Sequence, residues 1–90
     1  MTYKINILNN GDKDLDWFRK KDRKNYLKCF DLVRAVMKNP REGIGKPERL
    51  KYFHKEVYSR RVNLTDRMIY TIYEDKKEID VTSFRGHYEK

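Results

Sequence analysis

The chain is poor in cysteine, proline and glycine, with one, two and four of them in 90 residues. A lone thiol, Cys29, closes no internal disulfide and offers no second sulfur to a metal, which fits a reducing compartment. So few turn-forming residues leave no Gly/Pro-rich linker or low-complexity tract, and no repeat is visible. Residues 1–90 therefore read as a single domain. No apolar run is long enough for a membrane span, and the opening MTYKINILNN lacks the apolar centre of a signal peptide. The expectation is a cytoplasmic protein without membrane contact. Acidic side chains are also in deficit, 14 against 22 Lys and Arg, for a net charge of +8. An excess of this size favours polyanionic partners such as RNA, DNA, ribosomes or an acidic protein; plain solubility is the bland alternative.

Hydrophobic residues make up only 38% of the chain and charged residues 40%. A chain of this length buries roughly 60% of the surface its unfolded form exposes, so the core is small. Twelve aromatic residues offset part of that shortage. The apolar residues also fall in periodic runs, which argues against disorder.

Residues 3–8 alternate, with Tyr3, Ile5 and Ile7 on one side, and predict a strand; Asn9, Asn10 and Gly11 then read as a break. A helix is expected from Asp12, with carboxylates at its start and Lys20 and Lys21 near its end, as the helix dipole favours. A second helix starts at the N-cap Asp22, with an apolar stripe of Tyr26, Cys29, Phe30, Val33, Val36 and Met37, and stops at Asn39-Pro40. Residues 50–53, 57–62, 68–73 and 79–84 read as short strands separated by polar breakers. The fold class is α+β: an N-terminal strand, a helical hairpin, then an antiparallel sheet meander. If an odd loop of three or five residues joins strands 57–62 and 68–73, Arg61 faces Arg67 on the side of Ser59 and Ile69. The opposite side then carries Tyr58, Val62, Met68, Tyr70 and Ile72 toward the helices. The first side becomes an open, basic sheet face.

Candidate chemistry concentrates between Glu42 and His87. Glu48 follows Pro47 among cations. By itself it is a surface carboxylate paired with Arg49 or Lys51; as a functional group it is a base for an RNA 2′-hydroxyl. Residues 41–67 hold eight basic and four acidic side chains, among them Lys46, Arg49, Lys51, Lys55, Arg60, Arg61 and Arg67. They are either a solvated basic face or a phosphate-binding surface, in which one guanidinium stabilises the transition-state charge. His87 stands beside Gly86 and Tyr88 in a terminus of little apolar character. It is either an exposed histidine or a general acid for a departing 5′-oxygen. Tyr88 would stack on a base, bond a phosphate oxygen or cap the sheet. GIGK is too short for a phosphate loop and runs into Pro47. His54 reads as a turn residue and Cys29 as a buried one. Trp17, Phe18, Tyr26 and Phe30 read as core and helix contacts. No His/Cys/carboxylate spacing fits a metal, and no cofactor is expected.

NPREGIGKPERLKY, YSRRVNLTDRMIY and the C-terminal HY together resemble the YoeB/Txe toxins of bacterial type II toxin–antitoxin systems, part of the RelE superfamily. The resemblance runs from about Asp14 to Tyr88. It implies a RelE-like microbial ribonuclease fold and an mRNA interferase that inhibits translation. Such an enzyme cleaves mRNA in the 30S A site of the ribosome by metal-independent 2′-hydroxyl attack. By motif position, Glu48 matches the general base, His87 the general acid and Arg67 the phosphate-stabilising arginine. Lys51 and Arg61 match supporting cations, and Tyr88 a tyrosine of the site; Lys46 and Arg60 join the substrate-binding set from the basic cluster. The resemblance further implies neutralisation by a cognate YefM/Axe-like antitoxin, homodimers, and DNA contact only through the toxin–antitoxin complex. The chain departs from the family pattern at Tyr58, where Trp is usual, at Arg49, where a second proline is usual, and in the extension Glu89-Lys90. The competing reading is a non-catalytic relative or basic module that binds gyrase, DNA or rRNA.

Overall fold

The computed structural model describes residues 2–86. In chain order the elements are β1 (Lys4–Ile7), α1 (Asn9–Lys21), α2 (Arg23–Lys38), β2 (Glu48–Arg49), β3 (Glu56–Arg61), β4 (Arg67–Tyr73) and β5 (Glu78–Gly86). The strands form one sheet in the order β1-β5-β4-β3-β2. β1 runs parallel to β5 and every other pair is antiparallel. The expected α+β architecture is therefore present, with the first strand added to the far edge of the meander.

The helices cover one face of the sheet. Phe18 from α1 and Cys29, Leu32 and Val36 from α2 are buried against Met68, Tyr70, Ile72, Ile79, Val81 and Phe84. Leu32 extends the predicted stripe, because 29, 32 and 36 recur at helical spacing. Asp22 caps α2 as expected, its carboxylate accepting from the Asn25 amide at 3.2 Å. Trp17 is 38% exposed rather than core, and its ring lies under the Arg85 guanidinium, 3.6 Å from it. Burial pushes the Cys29 thiol up to about 12, which makes it inert at neutral pH.

Two local expectations are corrected. Residues 9–11 are not a break but the first turn of α1, which follows β1 after one residue. Gly11 permits this: a Cβ there would lie 3.0 Å from Ile7 Cγ2 and 3.1 Å from the Val81 carbonyl. Residues 50–53 are not a strand. Pairing lies earlier, at Glu48–Arg49, and ends at the Leu50 N–H to Val57 carbonyl bond of 2.8 Å. Beyond it Tyr52 takes φ +69°, incompatible with an extended strand.

Arg60 is a third correction. On β3 it pairs with Met68, so it points to the helix side, and it is completely buried. Its Nε donates to Tyr70 Oη at 3.0 Å, and its terminal nitrogens donate to the carbonyls of Ile44 (3.1 Å), Asn39 (2.6 Å) and Glu42 (2.8 Å). Tyr70 Oη in turn donates to the Pro40 carbonyl at 2.7 Å. A guanidinium used in this way does not reach RNA. It holds the loop of residues 39–45 to the sheet. GIGK belongs to this arrangement: a Cβ on Gly43 would meet Arg60 Nη1 at 3.0 Å, and one on Gly45 would meet Leu32 at 2.8 Å. Both glycines also take positive φ, +126° and +85°.

At the other end of the sheet, Arg41 bonds Glu56 at 2.7 and 2.9 Å and Glu74 at 3.0 Å. Glu74 also accepts from Tyr3 Oη at 2.8 Å and pairs with Lys77. These ties join the residue before β1, β3, the β4–β5 turn and the loop after α2.

Arg60→Met would strip the donors from three partly buried loop carbonyls and a buried hydroxyl; a loss of about 3 kcal/mol or more is expected, read as a lower urea midpoint. Bonds from Lys77, Tyr3 and Arg41 hold the Glu74 carboxyl down to about 2, against 4.5 ordinarily. A depressed carboxylate contributes stability that is complete above the unfolded value and lost as pH falls from about 4.5 toward 2. Thermal melts should decline across that window, less than the shift alone implies because solvent screens the group, and Glu74→Gln should flatten the decline.

Candidate active site

The register of β3 and β4 decides what the second sheet face presents. Arg61 pairs with Arg67, Ser59 with Ile69 and Val57 with Thr71, so the connection is the five-residue segment 62–66. Asn63 builds it: its Oδ1 accepts from the Thr65 and Asp66 amides at 2.8 and 2.7 Å. This is the odd loop that places both arginines on one face. Glu48 pairs with Ser59 across β2–β3, and alternation puts it on that same face. Glu48 and the Arg61–Arg67 pair thus occupy neighbouring rows, roughly 7 Å apart along the strand.

This face is not uniformly open or basic. Val57, Ser59 and Thr71 in its floor are buried, as is Leu50 beside Val57. Arg61 is exposed and Arg67 half-buried. On the β5–β1 side, Asn6 Nδ2 donates to Glu78 and Asp80, both at 3.0 Å, so that end is acidic. Among the described residues, the opposed Arg61 and Arg67 offer a polyanion favourable charge at the β2–β3–β4 end. Arg67 is fixed there, its Nη1 donating to the carbonyls of Asn63 at 3.1 Å and Leu64 at 3.3 Å.

Lys46, with φ +50°, precedes Pro47 and lines a groove of about 740 Å³ together with Arg61, Lys24, Lys28, Leu27 and Leu64. Lys51 is exposed in the turn after Glu48. His54 is exposed in the loop before β3, in keeping with a turn residue. His87 and Tyr88 lie outside the described residues. The last described residue, Gly86, is the Cα partner of Arg67. Among the described residues, no group of three His, Cys, Asp or Glu side chains stands close enough to hold a metal ion.

Asp14 is a positioning residue that sequence reasoning passed over as one of several helix-start acids. Its Oδ2 accepts from the backbone amides of Phe84 and Arg85 at 2.9 and 3.0 Å. β5 shifts register against β4 on both sides of Ile69, between Arg67 and Ile69 and again between Ile69 and Tyr70. A carboxylate from α1 thus supplies acceptors for a stretch of β5 where the ladder is irregular. Nothing in the local sequence marks this, because 70 residues separate the partners.

Two helices on one face of a five-stranded sheet, with a carboxylate and opposed arginines on the other, define a small RelE-like toxin fold. Residues 8–88 match the model of the YoeB-like toxin of bacterial type II toxin–antitoxin systems, and the chain belongs to that family. Toxin YoeB of Synechocystis sp. is 36% identical over 77 residues, covering 86% of this chain and 87% of the relative. The YoeB dimer structure from Staphylococcus aureus superposes with a TM-score of 0.85 at 32% identity, covering 98% of this chain and all of that one. The heterotetrameric YoeB-YefM toxin-antitoxin complex from the same organism gives a TM-score of 0.80 at 32% identity over the same shares.

Asp14→Ala should leave the Phe84 and Arg85 amides without their acceptor. Their hydrogen exchange is expected to accelerate at least tenfold while the amides of α2 exchange as before; equal rates in both proteins would show the contact to be inconsequential.

Proposed function

We propose that this toxin is a ribosome-dependent mRNA endoribonuclease that blocks translation by cutting mRNA in the A site. The observation that carries the reading is the register: Glu48, Arg61 and Arg67 share the sheet face turned away from the helices.

In this mechanism Glu48 takes the proton of an RNA 2′-hydroxyl, and the resulting oxygen attacks the adjacent phosphorus. The five-coordinate transition state carries extra negative charge. The Arg67 guanidinium stabilises it through the nitrogens not bonded to the 62–66 turn, with Arg61 and Lys51 beside it. The phosphorus–O5′ bond breaks, and His87 supplies the proton to the departing 5′-oxygen. The products are a 2′,3′-cyclic phosphate and a 5′-hydroxyl, with the base left protonated and the acid deprotonated. Tyr88 contacts the phosphate or the flanking base, and Lys46 binds the RNA backbone. Arg60 has no place in this set because it is consumed in the fold.

The same reading gives the protein a cytoplasmic site of action and a cognate YefM/Axe-like antitoxin, with homodimers as a second assembly. The YoeB-YefM complex and the YoeB dimer of the Staphylococcus aureus relative support both. DNA enters only through the toxin–antitoxin complex. No described helix is long and apolar enough to cross a membrane.

Induced expression followed by mapping of mRNA 5′ ends tests the activity. Codon-phased 5′-hydroxyl ends are expected with the wild type, and a loss of at least a hundredfold with Glu48→Ala, Arg67→Ala or His87→Ala. Toxicity that persists in all three variants without new ends would instead assign the protein to the gyrase-, DNA- or rRNA-binding class.

A further inference from the structure

Residues 50–55, LKYFHK, join β2 to β3 and place two adjacent aromatic rings in solvent: Tyr52 is 94% exposed and Phe53 is 53% exposed. Tyr52 also adopts φ +69°, a left-handed conformation unfavourable for a tyrosine. Neither ring belongs to the core, and strain plus exposed apolar surface is a poor arrangement for stability alone. Lys51, His54 and Lys55 flank the pair, all of them exposed.

The loop is nonetheless anchored at both ends. Leu50 is buried at its root, and its N–H bonds the Val57 carbonyl at 2.8 Å. Lys55 Nζ donates to Tyr73 Oη at 3.0 Å and stands 5.2 Å from the centre of that ring. Val57 and Tyr73 alternate onto the same face as Glu48, so both anchors lie on the face that carries the carboxylate and the arginines. The Val57 row is one step from the Glu48–Ser59 row and two from the Arg61–Arg67 row. Each step is roughly 7 Å, comparable with one nucleotide of an extended single strand. A phosphate held between Glu48 and Arg67 therefore leaves a neighbouring base within reach of the aromatic loop.

We propose that Tyr52 and Phe53 form a stacking platform for unpaired nucleobases beside the cleaved phosphate, with Lys51 on the adjoining backbone, and that the platform favours purines. The inference rests on the ribonuclease reading for its location. Its chemistry is that of single-strand recognition: a flat ring accepts any base face, larger bases stack more strongly, and a nearby cation neutralises the phosphate.

The test is fluorescence anisotropy of labelled oligoadenylate and oligouridylate decamers across a salt series. The proteins are the full chain carrying Glu48→Gln, and the same chain with Tyr52→Asn and Phe53→Ala added. Asparagine tolerates the left-handed backbone, and thermal melts verify that the fold is kept. Affinity is expected to fall about tenfold or more, further for oligoadenylate than for oligouridylate, with an unchanged salt slope because no phosphate contact is removed. Tyr52→Trp with Phe53 intact should bind at least as tightly as the parent. Equal affinities, or a loss seen only as a shallower salt slope, would overturn the platform. So would loss of self-association, measured by sedimentation, with RNA binding unchanged; that result gives the patch to a second copy.

Mapping cuts with the otherwise wild-type chain separates the two ideas. Cleavage with an unchanged pattern and rate in the Tyr52→Asn, Phe53→Ala protein rejects the platform and keeps the ribonuclease. Absence of wild-type cleavage together with aromatic-dependent RNA binding rejects the ribonuclease and keeps the platform.

Discussion

A buried arginine organises this protein. Arg60 brings a full positive charge into the core, and its hydrogen-bond partners are a tyrosine hydroxyl and three backbone carbonyls. Such a charge is tolerable only when its donors are satisfied, because desolvation is costly and water is excluded. The partners come from residues 39, 42 and 44, so satisfying Arg60 means curling that loop around the end of the sheet. The loop then delivers Pro47 and Glu48 to the edge of β3. The position of the proposed base on the outer face thus depends on a cation buried on the inner face.

Register is the second constraint. A strand alternates its side chains, so a turn one residue shorter would send Arg67 to the helix side and bring Met68 out. The 62–66 turn prevents this with Asn63, whose side chain bonds two of its amides, and with Arg67 itself, which donates to its carbonyls. The arginine proposed to meet phosphate also holds the turn that aims it. At the far edge Asp14 does for β5 what Asn63 does for the turn, supplying acceptors to amides in an irregular stretch of the ladder.

Charge is distributed to match. Arg61 and Arg67 occupy one end of the outer face, while Asn6, Glu78 and Asp80 occupy the other. The net charge of +8 therefore becomes a local field rather than a uniform coat. The Arg41–Glu56–Glu74 ties neutralise a cation that the bare sequence would have counted toward the same field.

Much of this was legible in the residues. The capped second helix, the stripe through Cys29 and Val36, the strands from Val57 onward and the facing of Arg61 and Arg67 follow from period, capping and parity, all local properties. Motif spacing was enough to point to a toxin family. What remained hidden involves partners distant in sequence. Gly11 read as a breaker, yet it lets a helix approach Val81. GIGK read as a failed phosphate loop, yet it makes room for Arg60. Arg60 and Arg61 look equivalent in the string SRR. Only the pleat, together with carbonyls contributed from 16 to 21 residues away, makes one a core residue and leaves the other to meet a ligand. Sequence by itself determined most of the elements, the family and the chemical groups available. Tertiary structure decided which of those groups face solvent together, because facing is a property of pairing and packing.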